Sequence, residues 1–157
     1  MSNVLRRTVL ASLVAAALAV VPAWAAEEPG YDVVFQNLWV RKPPPGVDTA
    51  ALYFTVLNKT NFPITLKAVT SPLAAHAMIH ETSVVEGQSR MRMKESVTVP
   101  AGGRLAFQPE GLHVMLTGLN KPLEVGDKVP LTVEMGGTRS SGGPLELIAT
   151  VRPLDAK

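Results

Sequence analysis

From residue 31 onward, apolar residues recur at every second position wherever a period is clear. The segments are "YDVVFQNLWV" (31–40), "AALYFTVLN" (50–58), "PITLKAVT" (63–70), "GRLAFQP" (103–109), "LHVMLTG" (112–118), "VPLTVEM" (129–135) and "LELIATV" (145–151). A period of two over so few residues predicts half-buried strands. Between them stand "KPPPGVD" (42–48), "NKTNFP" (58–63), "PAGG" (100–103), "PEG" (109–111), "KPLEVGD" (121–127) and "GGTRSSGGP" (136–144). Proline fixes φ and glycine admits positive φ, so these stretches turn the chain. No amphipathic helix interrupts the series. Seven to nine short strands at regular spacing predict an all-β fold, an antiparallel sandwich or barrel. There is no internal repeat and no linker, and "GGTRSSGG" fits a hairpin tip better than a domain boundary.

The pattern changes at the start of the chain. Arg6 and Arg7 precede "TVLASLVAAALAVVPAWA", an apolar run closing on the small-x-small triplet Ala23-Trp24-Ala25. That layout predicts a cleavable export signal over 1–25 and one mature domain over 26–157. The apolar part, from Val9 to Val21, falls short of the about 20 residues that a membrane span needs. Stable membrane insertion of the mature chain is therefore not expected. Removing Arg6 and Arg7 leaves 13 basic residues against 13 acidic ones, so the basic character of the whole chain says little about partners. No Lys/Arg run is dense enough for a nucleic-acid surface. With no cysteine, an exported chain has no disulfide framework and must rely on an apolar core, which this length can supply.

Against that background the histidines and methionines stand out. The stretch Arg90–Leu116 holds three of the six methionines and one of the three histidines. His113 and Met115 are two apart in an alternating strand, so they leave the same face about 7 Å apart. "HAMIHET" places His76, Met78 and His80 at the same spacing, and Met91 and Met93 repeat it. Imidazoles with thioethers form a soft, uncharged donor set, which favours Cu(I) over magnesium, calcium or zinc. Each residue alone has a plainer reading. Met135 reads as core filler and His76 as a hydrogen-bonded or surface histidine, while Met78 stands open between an exposed neighbour of the site and an ordinary strand residue. The joint spacing changes this: ten residues lie between His80 and Met91, twenty-one between Met91 and His113, and one between His113 and Met115.

This spacing resembles the motif of the periplasmic copper chaperones of the PCu(A)C type. "LWVRKPPPGVDTAALYFTVLN" is similar to that family's first strand, Pro-rich loop and second strand, and "VPAGGRLAFQPEGLHVMLTGLNKPLEVGDKVPLTV" to its C-terminal half. The resemblance implies a cupredoxin-like Greek-key β-sandwich holding one Cu(I) near the surface through His80, Met91, His113 and Met115. It implies a periplasmic carrier that moves copper toward the copper A centre of cytochrome oxidase, with a Sco-type thiol protein or the oxidase's copper-site subunit as partner. His76, Met78 and Met93 are auxiliary candidates. Some relatives add a His- and Met-rich tail for Cu(II); this sequence ends "VRPLDAK", so that site is not expected.

Other classes fit less well. A blue-copper electron carrier needs a cysteine thiolate, and the chain has none. An enzyme is not expected, since no serine or carboxylate stands in a recognisable catalytic setting with these histidines. The alternative is a copper-independent periplasmic binding module on the same sandwich.

Overall fold

The computed structural model describes residues 32–137 and 144–156. The predicted export signal at 1–25, the start of the predicted 26–157 domain and most of the "GGTRSSGG" tip lie outside the described residues. Within them the chain forms ten strands: β1 Val33–Arg41, β2 Ala50–Asn58, β3 Ile64–Thr70, β4 Ala74–Val85, β5 Gln88–Lys94, β6 Val97–Val99, β7 Arg104–Phe107, β8 Leu112–Leu119, β9 Lys128–Gly136 and β10 Leu145–Arg152. Seven of these coincide with segments whose apolar period predicts them. The remaining three, β4, β5 and β6, raise the count above the expected seven to nine.

The strands hydrogen-bond in the order β5-β4-β8-β7-β2-β1-β10-β9-β3-β6, with β8 also pairing β2. Two contacts depart from the antiparallel expectation, since β1 runs parallel to β10 and β7 to β8. The ladder folds over on itself into a sandwich. Leu52, Phe54, Val56, Ile79, Val114 and Leu116 from one half share a single core with Ile64, Leu66, Val69, Leu131, Val133 and Val151 from the other. Phe54 anchors it, stacked on Phe107 with ring centroids 4.2 Å apart. Every second residue of β2 and β8 enters this core, so the residues between, Ala51, Tyr53, His113 and Met115, must occupy the outer face.

Two local features decide what stands on that face. In β1, Gln36 pairs Thr55 but Trp39 pairs Tyr53, so the strand carries one residue more than its partner at this point. Asn37 takes the positive φ of 53° there, a conformation that asparagine tolerates better than most residues. Such a bulge reverses the side on which later residues project. Phe35 packs inward on Phe54, whereas Val40 now fills the core and Trp39 goes outward beside Tyr53.

The second feature is the β4–β5 hairpin. Its turn residues Glu86 and Gly87 both have positive φ, 52° and 75°, the two-residue type I′ geometry whose twist matches the flanking strands. The hairpin is an extension at the sheet edge. All seven residues of β5 are exposed, and β5 is hydrogen-bonded on one side only.

At the opposite end of β2, Asn58 is buried and ties three segments together. Its amide donates to the carbonyls of Phe62, Val99 and Pro100 at 2.8–3.2 Å, and its oxygen accepts from the backbone N–H and hydroxyl of Thr60.

Candidate metal centre

The register of β5, β4 and β8 brings together every histidine and methionine that the sequence singles out as a ligand candidate. Across β4 and β8, His80 is opposite His113, Met78 opposite Met115 and His76 opposite Thr117. Across β4 and β5, His80 is opposite Met93 and Thr82 opposite Met91. Directly opposed residues share a face, so His76, Met78, His80, Met91, Met93, His113 and Met115 all lie on the outer face. A two-residue turn closes on a hydrogen-bonded pair, here Val85–Gln88. Alternation then makes Thr82–Met91 and His80–Met93 non-hydrogen-bonded pairs, the kind whose Cα atoms stand only about 4.5 Å apart.

His113 is the fixed point of this face. It is 5% exposed, flanked by Tyr53 at 6.4 Å and by His80 at 5.8 Å between ring centroids, the two imidazoles edge to face. Its Nδ1 lies 3.0 Å from the carbonyl of Gly111. A carbonyl can only accept, so Nδ1 carries a proton, and in the neutral ring Nε2 is left with its lone pair, the arrangement that a metal-binding histidine needs. The same carbonyl accepts from the Thr82 N–H of β4 at 3.1 Å. One backbone oxygen therefore sets both the tautomer of His113 and the position of β4 beside it.

His80 is held differently. Its Nδ1 is buried and has no hydrogen-bond partner, a deficit of about 1–3 kcal/mol for a polar group cut off from water. Burial, and then the neighbouring His113, push its pKa below the ordinary histidine value of 6.5. His80 is thus neutral at neutral pH, with a nitrogen that a metal ion would satisfy.

The thioethers complete what the imidazoles cannot. Among the described residues, no three His, Cys, Asp or Glu side chains gather into a metal-holding group. The acid nearest in sequence to His80, Glu81, projects from the other side of the hairpin and pairs with Lys94 at 2.8 Å. A metal on this face would therefore meet two imidazoles and sulfur. Met91 and Met93 are 53% and 63% exposed, so the sulfur side opens to solvent while the imidazole side is covered.

That cover consists of residues that sequence reasoning missed. Trp39 and Tyr53 pack at 4.6 Å between ring centroids. The Arg41 guanidinium lies over both rings at 5.4–5.8 Å, and that of Arg152 lies over Trp39 at 5.4 Å. Burial raises the Tyr53 pKa, partly offset by Arg41, so the phenol stays neutral. Tyr53 reaches the site through the β2–β8 pairing, and Trp39 joins it through the β1 bulge; the only local signal for these two was their alternating position in two strands.

The comparisons with known proteins agree with this architecture. The family model described as "Putative lipoprotein LpqE-like" matches residues 33–145. A protein of Leifsonia xyli subsp. xyli named "Putative lipoprotein Lxx21020" is 31% identical over 121 residues, 74% of this chain and 72% of that protein. The solution structure of Cu(I)-loaded DR1885 from Deinococcus radiodurans is 36% identical, covering 83% of each chain with a TM-score of 0.61. The copper-bound PCuAC domain from PmoF2 shares the fold, with a TM-score of 0.64 at 23% identity over 78% of this chain and 94% of that domain. The sandwich is accordingly the cupredoxin-like one, and the chain belongs to the LpqE-like family, whose domain is of the PCu(A)C type.

Proposed function

We propose that the protein is an exported Cu(I) carrier rather than an enzyme, holding one copper ion through His80, Met91, His113 and Met115. The observation that carries this reading is the His80–His113 cross-strand pair, with thioethers on the adjoining positions and no acid among them. The likeness to Cu(I)-loaded DR1885 supports it. Thioethers lose no proton and form no disulfides, so they can hold Cu(I) in an oxidising compartment where a free thiolate would be oxidised. The exposed sulfur side leaves an acceptor room to add its own ligand before the first ones depart. On this reading the protein works in the periplasm and passes copper toward the copper A centre of cytochrome oxidase, through a Sco-type thiol protein or directly to the copper-site subunit.

A competition titration of the mature protein against a coloured Cu(I) chelator, repeated with Zn(II), tests the proposal. One Cu(I) per chain is expected, with clearly weaker zinc binding, because thioethers are poor zinc ligands. Zinc binding as tight as copper binding would remove the thioethers from the ligand set. A protein blind to Cu(I) would leave the copper-independent module.

The same titration across pH tests the imidazoles. Protons compete with the metal for a histidine but not for a thioether. Of the groups facing His80, Met93 on β5 is neutral, and the titratable ones are His113 on β8 and His76 along β4. Since the His80 pKa lies below 6.5, the neutral ring predominates above that pH and the protonated form gains as the pH falls through the folded-state value. Apparent Cu(I) affinity should therefore hold through neutral pH and drop on acidification. A flat profile down to about pH 4 would argue against histidine ligation.

A further inference from the structure

His76 and Met78 have no part in the four-ligand set, yet they continue its face. Along β4 and β8 the cross-strand pairs run His80–His113, then Met78–Met115, then His76–Thr117. Each pair is about 7 Å from the next. Two thioethers thus lie between imidazoles, with His80 and His113 on one side and His76 on the other. Met78 is not core filler, because Ala77 and Ile79 are the residues of β4 that pack toward the core at this point. Toward β8 its neighbours on the face are thioether, imidazole and hydroxyl, and on the β5 side it lines a shallow cleft with Met93, Lys94 and Glu95. His76 is exposed and Met78 half-buried, so solvent reaches this end of the row directly.

A methionine side chain is unbranched and flexible, so Met115 can turn its sulfur toward either neighbouring pair. Resting on the copper reading above, we propose that His76, Met78 and Met115 form a second Cu(I) position, one cross-strand pair further along the face. The ion moves between the two by ligand exchange alone: the Met78 sulfur and a His76 nitrogen add as His80, His113 and Met91 leave, and Met115 stays bound. Copper remains Cu(I) throughout, and every ligand is neutral before and after. Because both positions use Met115, one chain carries one ion at a time. The second position has one imidazole where the first has two, so it binds more weakly and serves as a passage between the covered site and solvent.

The test uses His80→Ala/His113→Gln protein, folded by circular dichroism, in a chelator competition with Cu(I). Residual one-to-one binding is expected. Adding His76→Ala and Met78→Leu should lower it by about tenfold or more, a change readily resolved in such a competition. With carbon-13-labelled methionine methyls, Ag(I) added to the His80→Ala/His113→Gln protein should shift the Met78 and Met115 resonances together. In the otherwise wild-type chain, His76→Ala/Met78→Leu should slow copper transfer to the chelator. Residual binding indifferent to His76 and Met78, with the Met78 methyl unmoved, would overturn the second position and leave the four-ligand site standing. A wild-type protein that takes up no Cu(I) would overturn both.

Discussion

His113→Gln should produce the largest loss of Cu(I) affinity of any single change at the site, exceeding the roughly 10–100-fold that removal of an outer-shell partner costs a metal centre. His113 is the most buried of the proposed ligands. The Gly111 carbonyl fixes its tautomer, and the rings of Tyr53 and His80 confine it on either side. A ligand so confined loses little freedom on binding the metal, so its removal forfeits more than that of a flexible one. Met91→Leu keeps the apolar bulk and removes a sulfur from an exposed edge strand, and its loss should be substantial but smaller. Met93→Leu should matter least, because only Met91 completes the intervals of ten and twenty-one residues. Register supplies the opposing argument, since Met93 is the residue directly across from His80. A chelator competition on the three variants, each shown folded by circular dichroism, ranks them. If Met93→Leu outranks Met91→Leu, the sulfur ligand of β5 is Met93. Full affinity in His113→Gln would dismantle the proposed set.

Asn58→Ala should cost about 2–4 kcal/mol of folding stability, the range for removing several buried hydrogen bonds of one side chain at once. The residue is 2% exposed, and its amide links the end of β2 to the loop at Phe62 and to β6 through Val99 and Pro100. Alanine would remove this donor from those carbonyls and the acceptor from the Thr60 N–H, while the Thr60 hydroxyl keeps the Phe62 carbonyl at 2.8 Å. Urea denaturation measures the loss. Cu(I) affinity of the folded fraction should stay unchanged, because Asn58 lies five residues along β2 from Tyr53, about 17 Å at strand rise. A loss below about 1 kcal/mol would mean that water replaces the network at little cost.

The sequence was most legible where a strand has one face in the core. β2, β8, β9 and β10 alternate because every second residue enters the core, and the period marks them almost to the residue. β4 and β5 escaped the same reading for a physical reason. Beyond Ile79 the hairpin leaves the core, both of its faces meet solvent, and burial no longer imposes a period. Glu86-Gly87, a serviceable turn signal, stood between segments that gave no reason to look for one. The chemistry crossed that gap, since histidine and methionine spacing marked a shared face even though the strands carrying it had not been counted. What spacing could not supply was register. Strict alternation from Phe35 sends Trp39 into the core, and only the extra residue at Asn37 brings it out beside Tyr53. The cover over His113 and the contest between Met91 and Met93 both depend on which residue faces which across a ladder, and that is fixed by contacts far apart in the chain.

The exposed edge position of β5 has a kinetic consequence. Parting β5 from β4 breaks a single ladder and disturbs no core residue, so it is among the cheapest local openings available to the molecule. The sulfur that rides on β5 can withdraw from a bound ion and return many times while His80 and His113 stay in place. An incoming ligand would then enter through the gap left by the thioether, before either imidazole lets go.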